Sequence, residues 1–191
     1  LGYSKGELLL VKVEAYNSEG YGTISDELTS GVVFQTVPVQ VTNLVGTSTD
    51  KESIALTWDA ITSETDTGFS AVTDYEVWWD SGAEDGSDLI YLDSSGLSTT
   101  FSKGSLTTGS NYRFASLARN VHGPGPLSDE ETILVADVPD KMNMPAVNSG
   151  GNNDISISWT VQTIENGAEV TSYRLKILSK ITGLYAEETT L

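Results

Sequence analysis

The side chains able to do chemistry in this chain are few, and their spacing does not assemble a reaction centre. There is one histidine, His122, and no cysteine among 191 residues. His122 lies in the turn Asn120-Val-His-Gly-Pro-Gly-Pro126, where a solvent-exposed loop residue is expected. A lone imidazole without cysteine or a second histidine makes a poor zinc site. It also lacks the nucleophile elbow that a Ser/His/Asp arrangement requires. The 27 Asp and Glu residues could in principle supply paired carboxylates for glycoside hydrolysis. Each, however, is explained by a solvated loop or an outer strand face. Gly150-Gly151 reads as a turn, not a phosphate-binding loop. The acidic runs Glu84-Asp85-Gly86-Ser87-Asp88 and Asp129-Glu130-Glu131 read as solvated charge, with weak Ca²⁺ binding as the sharper alternative. No EF-hand spacing is present. No catalytic residue, cofactor or bound metal is expected, and the chain reads as a non-enzyme.

One side chain points to binding. Tyr75, Val77 and Trp79 alternate and claim a core, so Trp78 faces outward. A later strand exposes Arg113, Leu117 and Arg119 on the same side. These four residues form either a cross-strand Trp–Arg stack or an anchor for a neighbouring domain, a subunit or a glycan.

The elements that would position these residues are strands. Ser and Thr make up roughly a quarter of the chain, which favours strands with polar outer faces. Ile54, Leu56 and Trp58 share one strand face, and Ala55, Thr57 and Asp59 the other. Tyr112, Phe114, Ser116 and Ala118 alternate with Arg113, Ala115, Leu117 and Arg119. Clusters such as Ser81-Gly82, Ser94-Ser95-Gly96 and Thr108-Gly109 separate the runs as turns. No convincing helix is visible. The formal net charge of −17 repels phosphates and anionic lipid, which argues against nucleic-acid and membrane-surface partners. No stretch approaches the ~20 apolar residues of a membrane span, so no membrane insertion is expected.

The chain repeats itself. Ser53-Ile-Ala-Leu-Thr-Trp58 aligns with Asp154-Ile-Ser-Ile-Ser-Trp159, 101 residues later. Val72-Thr-Asp-Tyr75 aligns with Val170-Thr-Ser-Tyr173 at an offset of 98. Asn17, Gly20, Gly22 and Ser25 align with Asn120, Gly123, Gly125 and Ser128 at 103. A period near 100 residues with small loop differences indicates tandem domains, and short strands with regular turns indicate two-sheet sandwiches.

These residues resemble the fibronectin type III family. The family's second-strand Trp is matched by Trp58 and Trp159, and its third-strand Tyr by Tyr75 and Tyr173. Its Leu-x-Pro-Gly-x-x-Tyr corner reads Leu106-Thr-Thr-Gly-Ser-Asn-Tyr112, without the proline. Its Ala-x-Asn-x-x-Gly-x-Gly-x-x-Ser ending reads Ala118 to Ser128, and again Ala15 to Ser25. The resemblance implies an all-β chain of tandem immunoglobulin-like sandwiches, with Trp58 and Trp159 in the core. In the N-terminal copy the register puts Leu9 at the corner Tyr and Tyr3 at the corner Leu, so the hydroxyl tie of that corner is missing.

The expected division is a C-terminal half-module over 1–37, a complete module over 38–138 and an N-terminal half-module over 139–191. The halves sum to 90 residues, close to one period. Each would present bare strand edges. Two readings stay open at this point: a window on a longer array, or head-to-tail complementation in which 139–191 of one copy takes 1–37 of the next. The function expected is a structural or adhesive repeat unit, extracellular or on a cell surface. Its partners would be copies of itself, neighbouring modules or glycans. Spacer modules of a secreted carbohydrate-active enzyme, or a cytoskeletal scaffold, are the alternatives. There is no Arg-Gly-Asp tripeptide and no Asn-x-Ser/Thr sequon.

Overall fold

The computed structural model describes residues 2–83, 86–149, 155–178 and 181–188. Glu84 and Asp85 of the first acidic run, the Gly150-Gly151 turn and Asp154 lie outside the described residues. Among the described residues every regular element is a strand. That follows from alternating β-branched and aromatic residues punctuated by Gly, Asn and Asp.

The chain divides into two compact units. One holds Leu1–Thr47, Ala55–Ser102 and Tyr112–Ile133, and the other Ser48–Ile54, Lys103–Asn111 and Leu134–Leu191. Near the N-terminus β1 (Leu8–Leu9) pairs with β4 (Val32–Val33), and β2 (Tyr16–Asn17) with β3 (Gly20–Tyr21). A three-stranded sheet runs β5 (Val45–Asp50), β6 (Ser53–Thr57), β9 (Thr100–Lys103). A five-stranded sheet orders β11 (Gly123–Pro124), β10 (Asn111–Asn120), β7 (Asp74–Trp79) and β8 (Ile90–Gly96). Its fifth strand, β12 (Glu131–Leu134), also pairs with β10. Three hairpins follow: β13 (Ala146–Ser149) with β14 (Ile155–Ser158), β15 (Ile164–Glu165) with β16 (Ala168–Glu169), and β17 (Leu175–Leu178) with β18 (Tyr185–Glu188).

Leu56, Trp58, Tyr75, Val77, Phe114 and Ile133 are buried in the first unit, and Ile54, Leu106 and Val135 in the second. Burying Ile54, Leu56 and Trp58 on one strand face is what the alternation predicts. Gly46 is glycine because a Cβ there would stand 1.9 Å from Ile133 Cδ1 and 2.9 Å from Leu56 Cδ2. Trp79 is only half-buried, against expectation. Its ring stacks on Tyr112 at 6.0 Å and on Phe114 at 6.2 Å, so these aromatics cover one of its faces.

The sequence repeat is a repeat of geometry. Gly22 N–H donates to Ala15 O at 2.8 Å, as Gly125 N–H does to Ala118 O at 2.8 Å. Val13 N–H donates to Ser25 Oγ at 3.0 Å, as Ser116 N–H does to Ser128 Oγ at 3.0 Å. Asn17 Oδ1 accepts from Glu19 N–H at 2.9 Å, as Asn120 Oδ1 does from His122 N–H at 2.9 Å. The aromatic pair recurs too. Trp58 and Tyr75 lie 5.9 Å apart at 58°, and Trp159 and Tyr173 5.9 Å apart at 52°. Tyr75 Oη accepts from Ile61 N–H at 2.9 Å, and Tyr173 Oη from Gln162 N–H at 2.6 Å.

One expectation changes. Trp159 is half-exposed, not core, and the described strands around it pair as two-stranded hairpins. The N-terminal corner keeps its turn without the tyrosine. Glu7 N–H donates to Ser4 O at 3.0 Å, matching Ser110 N–H to Thr107 O at 3.2 Å. Backbone bonds hold this turn, so the hydroxyl is not needed to form it.

Equivalent positions of the repeat should differ sharply in their response to truncation. Phe114 is fully buried, so Phe114→Ala should cost about 3–5 kcal/mol in urea denaturation. Its counterpart Val11 is exposed, so Val11→Ala should stay within about 0.5 kcal/mol of the parent chain.

Candidate interaction surfaces

The outer face of the five-stranded sheet carries the aromatic and the arginines singled out above. In the β10–β7 ladder Trp78 lies opposite Ala115, Glu76 opposite Leu117, and Asp74 opposite Arg119. In the β7–β8 ladder Trp78 lies opposite Tyr91. Their rings meet edge to face at 6.0 Å. Glu76 joins the two expected partners. Its Oε1 accepts from Arg119 Nε at 2.6 Å, and its Oε2 from Trp78 Nε1 at 3.3 Å. Trp78 and Arg119 are thus linked through a carboxylate. Further along, Arg113 donates to Asp80 Oδ2 at 3.2 Å, to Glu130 Oε2 at 2.9 Å and to Ser87 O. Burial works against the Arg113 guanidinium, but the hydrogen bonds to Asp80 and Glu130 outweigh it and raise its pKa above the ordinary arginine value. Desolvation, then the carboxylates of Asp93, Glu76 and Asp74, raise the Tyr91 phenol above its ordinary value.

Leu117 is corrected from exposed to buried, at 5% relative exposure. Its ladder partner Glu76 and its same-face neighbour Arg119 are ion-paired beside it, and their methylenes cover apolar surface. Ala115 is buried on that face as well. Trp78, Arg113 and Arg119 are half-exposed. Sequence reasoning missed Glu76, Asp80 and Tyr91. The signal available for Glu76 was its place two residues before Trp78, on the same strand face.

Two segments are fastened by the same device. Gly68 and Phe69 both have positive φ, 72° and 60°, as do Asn166 and Gly167, 49° and 88°. Thr36 N–H donates to Gly68 O at 2.9 Å, and Asp137 N–H to Asn166 O at 2.9 Å. Each left-handed pair sits against a corner glycine. A Cβ on Gly6 would stand 2.3 Å from Phe69 Cζ, and a Cβ on Gly167 would stand 2.6 Å from Gly109 N. The corner glycines are themselves tied to the following segment: Gly6 N–H to Phe34 O at 2.9 Å, Gly109 N–H to Val135 O at 2.8 Å. Left-handed φ is rare for a bulky residue and carries strain. Phe69 is held there by Gln35 Nε2, which donates to its carbonyl, and by its own N–H donating to Glu64 O at 2.7 Å. Asn120 Nδ2 adds bonds to Thr36 O at 2.7 Å and Thr67 O at 2.9 Å. His122 is exposed, as expected, with Nε2 2.9 Å from Gln35 Oε1.

Apolar side chains stand open at both ends of the chain. Val11 and Val13 are 63% and 73% exposed. Trp159 and Tyr173 line a depression of about 200 Å³ with Met142, Pro145 and Leu175. Among the described residues no group of three or more His, Asp or Glu is placed to hold a metal ion. No helix is long and apolar enough to cross a membrane.

No family model matches the sequence. The structure is similar to domains A168–A170 of titin, at 21% identity over 70% of this chain, with a TM-score of 0.50. The chain spans 43% of that structure. It is also similar to the FN1–FN3 domains of chicken CNTN1, at 19% identity over 66% of this chain and 42% of that one, with a TM-score of 0.44. The third fibronectin III domain of human KIAA0343 matches at 15% identity over 61% of this chain and 98% of that one, with a TM-score of 0.45. Identities of this order speak to fold alone. The fold is the immunoglobulin-like β-sandwich of fibronectin type III domains.

Two variants test these contacts. Glu76→Ala removes the acceptor of both Trp78 and Arg119. Because the Arg119 side chain is 40% exposed, its double-mutant cycle with Arg119→Ala should return about 1 kcal/mol, the upper end for exposed pairs. Gly68→Ala places a methyl 2.3 Å from Thr36 O at positive φ. It should cost about 2 kcal/mol or more and speed hydrogen exchange at the Thr36 amide, which loses its acceptor geometry.

Proposed function

We propose that this chain is a non-catalytic architectural repeat unit of an extracellular or cell-surface array. In this reading the half-sandwiches 1–37 and 139–191 are completed by neighbouring strands of the array, carried by the same polypeptide or by another copy. One observation carries it. Inner-face positions sealed in the 38–138 sandwich are open at their repeat counterparts. Phe114 and Ser116 are fully buried, whereas Val11 and Val13 are not. Trp58 is buried, whereas Trp159 is half-exposed with the equivalent tyrosine, Tyr173, beside it. Exposed apolar strands of this kind are templates for pairing with another chain. A contact between unlike surfaces of identical copies propagates into a filament unless its rotation closes a ring. The internal use of His122 by Gln35 and of the carboxylates Glu76 and Asp80 by arginines supports a non-catalytic role. The Trp78–Tyr91 pair is the second surface we assign to neighbours, whether adjoining modules or glycans. Ca²⁺ binding at the acidic loops belongs to the same reading as a charge-neutralising aid.

The net charge of −17 opposes association of copies, so assembly should depend on screening. Raising NaCl from about 10 mM to about 150 mM shortens the screening length from about 30 Å to about 8 Å and should shift sedimentation from single copies to multi-copy species. Ca²⁺ at matched ionic strength should act more strongly than NaCl if the acidic loops hold it. Electron micrographs of the assembled material should show filaments with a regular axial repeat. A chain that sediments as one copy at every salt and concentration, with both ends protected from protease, would overturn the reading.

A further inference from the structure

The chain enters the 38–138 sandwich through residues 36–39, and this short strap is tied along its length. Thr36 N–H donates to Gly68 O at 2.9 Å and Val39 N–H to Asp66 O at 2.9 Å, so one loop takes both amides. Pro38, between them in sequence, is fully buried and has no N–H to satisfy. The carbonyl of Thr36 accepts from Asn120 Nδ2 at 2.7 Å, and the same side-chain nitrogen donates to Thr67 O at 2.9 Å. Connections between domains are commonly exposed and flexible. This one is bonded to a loop on its amides and to a turn residue on its carbonyl.

Asn120 is buried, and one orientation of its amide satisfies all its contacts. Oδ1 accepts from His122 N–H at 2.9 Å, and the two protons on Nδ2 then face the carbonyls of Thr36 and Thr67. The turn uses the oxygen, and the strap uses the nitrogen. Gly125, the last glycine of the same Asn-x-x-Gly-x-Gly run, also lies against the strap. A Cβ there would stand 2.6 Å from Pro38 O and 3.2 Å from Val39 O. Its φ is not left-handed, so the close approach alone calls for glycine. The later connection is caught in a similar way. Thr36-Val-Pro38 aligns with Asp137-Val-Pro139 at the offset of 101. Asp137 N–H donates to Asn166 O at 2.9 Å, and Val138 O accepts from Asn166 Nδ2 at 2.8 Å. In both places a left-handed loop residue takes an amide and a side-chain amide takes a carbonyl.

We propose that the Asn120-x-x-Gly123-x-Gly125 turn is a clamp for the strap 36–39, and that the side-chain nitrogen of Asn120 is its positioning group. The turn closes with Oδ1 alone, so its geometry gives no reason for the nitrogen. The strap does, because without Nδ2 two carbonyls converge on one point with no proton between them. A run that ends one sandwich sequence then serves the entry to that same sandwich. The chain arrives there by a fixed path and not through a loose linker. The clamp lies within one chain and is independent of how modules or copies assemble.

Exchanging the amide for a carboxylate separates the two roles. Asn120→Asp keeps an oxygen for His122 N–H but aims an acceptor at the carbonyls of Thr36 and Thr67. Asn17→Asp makes the same exchange at the repeat counterpart, whose oxygen accepts from Glu19 N–H at 2.9 Å. The readout is hydrogen exchange of the whole chain, followed by NMR at single amides. In the parent, Thr36 and Val39 should exchange about tenfold or more below the unfolded rate. Asn120→Asp should speed both by about tenfold or more while the His122 amide changes little. Asn17→Asp should leave Thr36 and Val39 within about twofold of the parent. Gly125→Ala leaves Asn120 in place and should also speed Val39, whereas Gly22→Ala, whose Cβ would meet only Ala15 O at 3.6 Å, should not. The buried Ser116 amide checks that each variant is folded, and if Asn120→Asp does not fold, Gly125→Ala decides on the same amides. Exchange of Thr36 and Val39 at the unfolded rate in the parent would overturn the clamp without any variant. So would a folded Asn120→Asp chain in which both amides stay slow, or in which it acts as Asn17→Asp does, the result that turn formation alone predicts.

Discussion

The pairing of β10 with β7 is the interaction on which the described core depends. It sets Tyr75, Val77, Phe114, Ser116 and Ala118 along one buried face and aligns Glu76 with Arg119 on the other. The inner face contributes by excluding water from apolar area, which is the dominant favourable term in folding. The outer face contributes by giving each buried or half-buried charge a partner, since an unpaired one is costly. Elsewhere the same sequence pattern recurs without that ladder among the described residues, and there Val11, Val13 and Ile177 stay exposed. Burial in this chain thus follows from the presence of a facing strand and not from residue type. Valines stand in solvent while a serine is sealed.

The second constraint is backbone conformation at the fastened segments. Two left-handed residues in succession turn a carbonyl towards the linking chain, and that carbonyl takes the amide of Thr36 in one case and Asp137 in the other. The residue types differ, Gly-Phe against Asn-Gly, while the hydrogen bond is the same. Asn and Gly are natural occupants of such φ values. Phenylalanine is not, and the bonds from Gln35 and to Glu64 hold it in place. What the repeat preserves here is an angle and a carbonyl direction.

Much of this was legible in the residues. Strand alternation located Ile54, Leu56, Trp58, Tyr75 and Val77, because burial on one strand face leaves a period of two. The repeat offsets placed the hairpins at Asn17 and Asn120, because Asn and Gly are needed where a side chain must accept from a turn amide and where φ must be positive. The Trp78 face was only partly legible. Its arginines were visible, but Leu117 was assigned to solvent because alternation cannot show that Glu76 and Arg119 pair across that face. The left-handed Phe69 left no local trace, since its conformation comes from contacts with Gln35, Glu64 and Gly6, distant in sequence or unspecific in type. Trp159 was assigned to the core from its similarity to Trp58. Similarity of sequence predicts which face a residue takes, and only a partner strand decides whether that face is dry.

That last difference gives the molecule an optical property. Indole emission moves to shorter wavelength as water leaves the ring, and the tryptophans of this chain begin from unequal positions. Trp58 is sealed against Tyr75, while Trp78 and Trp79 are fixed by aromatic neighbours within one sheet. Trp159 has its tyrosine on one side and an open depression beside it. Whatever covers that depression changes the surroundings of Trp159, which lines it, whereas Trp58, Trp78 and Trp79 are not among its lining residues. The chain therefore carries an intrinsic gauge of the state of its C-terminal sheet, legible in fluorescence without a label.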